Sequence, residues 1–218
     1  MKKIVLLFAG ALLFSTTFAQ DEKYTLAIQS KLAAIDTARK AEDLLALSAA
    51  FERIADAEKT KWLPYYYAAL TQVNAAYSAS PNMQPEAAKT DPMADKAAAF
   101  INKADALSPN NSEIYVVKKM IATLRMMADP MNRYMQYGPA AEEALQTALK
   151  LNPENPRVYL LQAQDKFYTP EQFGGSKEEA KKLFEQAKKK YASFKPATDL
   201  EPTWGQPMTD YYLGELAK

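Results

Sequence analysis

Leu149 to Gln164 reads LKLNPENPRVYLLQAQ, and this stretch decides the fold. Leu151-Asn152-Pro153 stops one helix, because the residue before a proline is pushed out of the α region. Asn155-Pro156 then starts another. Asn is a favoured N-cap, and Pro at the first helical position gives up no hydrogen bond the helix needs. The stretch is therefore a joint between two antiparallel helices. Ser108-Pro109-Asn110-Asn111-Ser112 is a second copy of it.

Outward from these joints, apolar periodicity predicts helices over Tyr24–Arg39, Glu42–Glu58, Trp62–Ser78, Met93–Leu107, Glu113–Ala128, Ala140–Leu151 and Pro156–Phe167. Ser176 and Glu179 form a capping box for a further helix reaching Tyr191, and a short helix closes the chain at Thr209–Ala217. Ser80–Pro92 and Asp129–Pro139 read as loops, because each is rich in proline and polar residues. The Tyr65-Tyr66-Tyr67 triplet cannot share one helix face, so at least one of its rings is expected to reach a groove or solvent.

Four helices repeat one pattern: a small residue, a large apolar residue four positions on, and alanine three further. They read Ala50-Ile54-Ala57, Ala97-Ile101-Ala104, Ala141-Leu145-Ala148 and Ala180-Phe184-Ala187. Small residues on either side of a bulky one let a neighbouring helix approach closely. In the second and third copies a proline follows at Pro109 and Pro153, then an aromatic at Tyr115 and Tyr159. This pattern resembles the second helix of a tetratricopeptide repeat, followed by the aromatic that opens the next pair. Copies lie 47, 44 and 39 residues apart, against about 34 in the standard repeat. Regular spacing from each second helix to the next aromatic places the extra residues inside the pairs, as enlarged loops on one rim.

The resemblance implies an all-α, right-handed α-solenoid of about eight helices plus a C-terminal capping tail. It also implies a groove walled by the first helix of each pair. Tyr67, Thr71, Met120, Thr123, Arg157 and Gln164 are the groove candidates. Tyr134, Met135 and Tyr137 are loop-rim candidates, since aromatic and Met side chains suit adaptable binding surfaces. Trp204, Tyr211 and Tyr212 are expected to fold back over the open end of the array, because terminal repeats need covering.

Composition narrows the chemistry. The chain has no His and no Cys, which excludes thiol nucleophiles, His bases, disulfides and the common zinc sites. No catalytic residues, no cofactor and no metal are expected. Lys2 and Lys3, the apolar run Ile4–Leu13 and the small residues Thr17 and Ala19 read as a signal peptide cleaved near Ala19-Gln20. Without Lys2 and Lys3 the 27 basic residues become 25 against 26 acidic, a net charge of −1. That balance gives nucleic acid no electrostatic footing. Gly174-Gly175-Ser176-Lys177 reads as a turn and N-cap, and the lysines from Lys177 to Lys190, interleaved with glutamates, as a solvated helix face.

The expected organisation is a signal peptide over 1–19, a helical-repeat domain over 20–194 and a proline-rich tail with a short capping helix over 195–218. Function is expected to be non-catalytic: an exported, periplasmic or secreted scaffold that binds a protein or peptide. The alternative is a periplasmic subunit associated with a small molecule or solute transport. No membrane insertion is expected after cleavage, and homo-oligomers are compatible with the repeat.

Overall fold

Asn155 accepts a hydrogen bond from the Arg157 backbone N–H at 3.0 Å, and Pro156 opens the helix behind it, as the joint's sequence requires. Its sister behaves alike: Asn111 caps the next helix through the Glu113 N–H at 3.0 Å. The computed structural model describes residues 22–80 and 84–218. The signal-peptide reading and its cleavage point near Ala19-Gln20 lie outside the described residues.

Among the described residues the chain is all-α. In order the helices are α1 (22–37), α2 (Ala41–Glu58), α3 (Trp62–Ser78), α4 (Ala87–Leu107) and α5 (Ser112–Ala128). Then come α6 (Pro130–Leu151), α7 (Pro156–Tyr168), a 3₁₀ turn (Glu171–Phe173), α8 (Lys177–Ser193) and α9 (Gln206–Glu215). Sequence neighbours pack closely in the pairs α2–α3, α3–α4, α5–α6 and α7–α8, and α9 packs on α8. The result is a helical-repeat array. No described helix is long and apolar enough to cross a membrane.

Three expectations need correction. The segments read as Ser80–Pro92 and Asp129–Pro139 loops are largely helical: α4 begins at Ala87 and α6 at Pro130. Pro130 is tolerated because it opens α6. Pro92 and Pro139 lie inside helices but on their exposed sides, where the carbonyl each leaves without a partner can meet water. The extra residues of the repeat therefore lengthen second helices more than they enlarge loops.

The first copy of the alanine pattern also fails. Ala57 is exposed and Ala50 half-buried, while Phe51 and Ala55 enter the core. Phe51 is the larger apolar group, and it stacks on Tyr67 with ring centroids 5.2 Å apart. In the other three copies all nine residues are buried. Finally, Tyr65, Tyr66 and Tyr67 are all buried. Partners surround α3 on α2, α4, α5 and the tail, so three different faces are each covered.

The core comes in two parts. One runs from α1 to α5 and takes in Leu200 of the tail; the other joins Val116 of α5 to α6–α9. Met120 and Trp204 pack against both. Contact between α6 and α7 is slight, and the two cores meet at a seam where α5 faces α7.

Candidate functional site

Polar groups hold the seam. Arg157, at the start of α7, is fully buried and makes a two-pronged contact with Glu113 at the start of α5, at 2.8 and 2.7 Å. Asn155 donates to Glu113 at 2.7 Å and to Ser112 at 3.0 Å, and Ser112 donates to the Ala148 carbonyl at 2.8 Å. Burial alone would lower the Arg157 pKa, but the Glu113 carboxylate outweighs it and raises it. Lys119, also buried, pairs with Asp165 at 2.6 Å across the same seam.

The non-helical stretch 194–205 then crosses this seam. Tyr67 donates to the Leu200 carbonyl at 2.7 Å, while the Trp204 carbonyl accepts from Tyr191 at 3.0 Å and Arg157 at 3.3 Å. Three groove candidates are thus spent on internal contacts. Tyr67 holds the tail, Arg157 holds Glu113, and Thr71 is buried and bonded to its own helix at Tyr67. Met120, Thr123 and Gln164 are half-buried. The loop-rim candidates lie on the first turns of α6, where Tyr134 and Met135 are exposed, Met131 beside them is 93 % exposed, and Tyr137 sits under Arg125.

The richest exposed ring surface lies elsewhere, where α7 meets α9. Tyr212 is buried on Phe184 of α8, with stacked rings 4.8 Å apart. Around it stand Phe167 at 5.2 Å, Tyr211 at 5.4 Å and Tyr168 at 6.0 Å, and the Tyr168 and Tyr212 hydroxyls meet at 2.6 Å. Gln164 donates to the Met208 sulfur at 3.0 Å, binding the one groove candidate on this face to α9. Tyr211 remains 62 % exposed and Tyr168 49 %, with Met208 also open. Burial, and then the hydrogen bond with Tyr168, raises the Tyr212 phenol well above its ordinary value, so it is neutral at physiological pH.

Sequence reading placed the rings of Tyr211 and Tyr212 in a cap. Tyr212 does seal the last pair, but Tyr211, on the neighbouring position, stays outside. Tyr168 escaped notice altogether. Its signal is a Phe-Tyr pair ending a helix just before Thr169-Pro170.

Chemically, the face offers flat rings, a thioether, phenols and an amide. Among the described residues no group of acidic side chains is arranged to hold a metal ion. No protein-family model matches the chain, and no curated protein matches it either. Among solved structures the HusA haemophore from Porphyromonas gingivalis is similar, with 32% sequence identity and a TM-score of 0.77. The match covers 88% of this chain and 92% of that one. The chain belongs to the HusA haemophore family. Membership spans both cores and the seam, so the array as a whole, and not one helix pair, is the shared unit.

Proposed function

We propose that this chain is an exported, non-catalytic carrier of a haem-type tetrapyrrole, which it holds on the α7–α9 ring face. The observation that carries the reading is the pair Tyr168 and Tyr211, both exposed and both leaning on buried Tyr212, in a chain of the haemophore family. A planar macrocycle gains most by laying its faces on such rings. Export rests on the Lys2–Ala19 leader pattern and on that family.

The donor set fits this cargo in one particular way. Without His or Cys the chain has neither imidazole nor thiolate for iron, leaving phenol and thioether as the available axial types. Tyr168, Tyr211 and Met208 carry them on this face. Affinity then comes mainly from burying the macrocycle against rings, and the small-molecule class of function is favoured over peptide binding in the groove. Titrating the protein with haemin and following the Soret band tests it. Saturable binding is expected, weakened about tenfold for each ring removed in Tyr168→Ala and Tyr211→Ala. A linear, unsaturable response would overturn the reading.

A protein-docking role has one specific support, the exposed Met131, Tyr134 and Met135 on one side of α6. Its test is recovery of one stoichiometric envelope protein on the wild-type chain and not on Tyr134→Ala/Met135→Ala.

A further inference from the structure

Lys177 opens α8 directly beside the ring face. Its ammonium donates to the Phe167 carbonyl at 2.6 Å and lies 3.0 Å from the centre of the Phe167 ring. Phe167 in turn touches Tyr168, with centroids 5.1 Å apart, and Tyr212. One residue thus fixes the cation at the margin of the platform. Neighbouring lysines are committed to carboxylates: Lys166 to Glu179, Lys182 to Glu178 and Lys188 to Asp210, each at 2.6 to 2.7 Å. Among the described residues Lys177 has no carboxylate partner, although it is exposed and its ammonium carries a third N–H beyond those facing the Phe167 carbonyl and ring. Lys181, one turn on, has neither a carboxylate partner nor a ring beneath it among the described residues.

We propose that Lys177 anchors a carboxylate of the bound ligand, so that the face selects tetrapyrroles carrying a free acidic side arm. The inference rests on the reading of the ring face as the binding site. Rings hold the macrocycle through its faces, and they accept an ester as readily as an acid. A positioned ammonium beside them separates the two, because a charge-assisted hydrogen bond forms only with the acid.

Iron-free protoporphyrin IX and its dimethyl ester, titrated by fluorescence into wild-type, Lys177→Gln and Lys181→Gln proteins, supply the test. The wild type is expected to favour the acid by about tenfold. Lys177→Gln abolishes that preference without changing affinity for the ester, and Lys181→Gln retains it. Equal binding of acid and ester by the wild type, or an equal loss for both in Lys177→Gln, overturns the role of Lys177 alone. Binding of neither porphyrin to the wild type overturns the ring-face reading together with this inference.

Discussion

The indole N–H of Trp204 donates to the phenol oxygen of Tyr66 at 2.9 Å, joining residues 138 positions apart. Tyr66 passes its own proton toward Glu113 at 3.3 Å, Glu113 grips Arg157, and Arg157 returns to the Trp204 carbonyl. The four residues close a hydrogen-bonded circuit over the seam between the two cores. Trp204→Phe keeps an aromatic ring and removes the donor. It is expected to cost about 1 kcal/mol in urea unfolding, the worth of one net hydrogen bond. A variant as stable as the wild type would show that the circuit ties nothing.

Glu113 is the carboxylate facing buried Arg157. Glu113→Gln should cost about 3–5 kcal/mol, because it strands a charge in the interior. Replacing the pair together, as Glu113→Leu with Arg157→Met, removes charge and partner at once and should cost clearly less than Glu113→Gln alone. Chemical denaturation of the three proteins separates these outcomes.

Alkali should unfold the protein through its buried phenols. Burial raises the phenols of Tyr66, Tyr67, Tyr77, Tyr191 and Tyr212 above the ordinary value of 10.0. A group whose folded pKa is raised contributes its full stability below the unfolded value. Above pH 10 the unfolded chain sheds protons that the native state keeps, so stability falls with rising pH. Urea midpoints should hold level from pH 7 to 9 and drop beyond 10, with the tyrosinate absorbance of these five rings appearing only as the protein unfolds. Tyrosinate forming in the native protein near pH 10 for all these rings would contradict the burial described.

Two glycines should respond in opposite directions. Gly214 lies inside α9, and a Cβ there would meet open space. Gly214→Ala should therefore stabilise by up to about 0.5–1 kcal/mol through helix propensity. Gly205 turns the tail into α9 at φ 112°, and its Cβ would collide with the Tyr191 hydroxyl. Gly205→Ala should destabilise by more than about 2 kcal/mol and loosen α9 together with Tyr211. Thermal melts of both variants decide this.

Much of the fold was legible because local chemistry and packing agree at the joints. Asn155 and Ser176 each cap the helix they were expected to cap, and Asn111 caps α5, which starts one residue before the expected Glu113. Three of the four alanine patterns are buried as their spacing requires. Two kinds of feature were not legible. Pro92 and Pro139 read as breakers because propensity ignores which side of a helix a proline occupies. The seam and the ring face were hidden for a different reason. Arg157, Glu113, Tyr66 and Trp204 are far apart in sequence, and no periodicity links the tail to α3. Tyr67 and Arg157 looked like groove residues, since a repeat leaves that face open; here the tail covers them. Tyr211 was assigned to a cap beside Tyr212, although neighbours on a helix point about 100° apart, and only one of them could be buried.

The central claim is that a tetrapyrrole rests on the α7–α9 face. Amide chemical-shift mapping with diamagnetic zinc protoporphyrin locates it directly. The account predicts perturbations concentrated on Gln164–Tyr168, Lys177 and Met208–Tyr212. Perturbations confined to α6 around Tyr134 and Met135, or to the α3–α5 face around Met120 and Thr123, would contradict it.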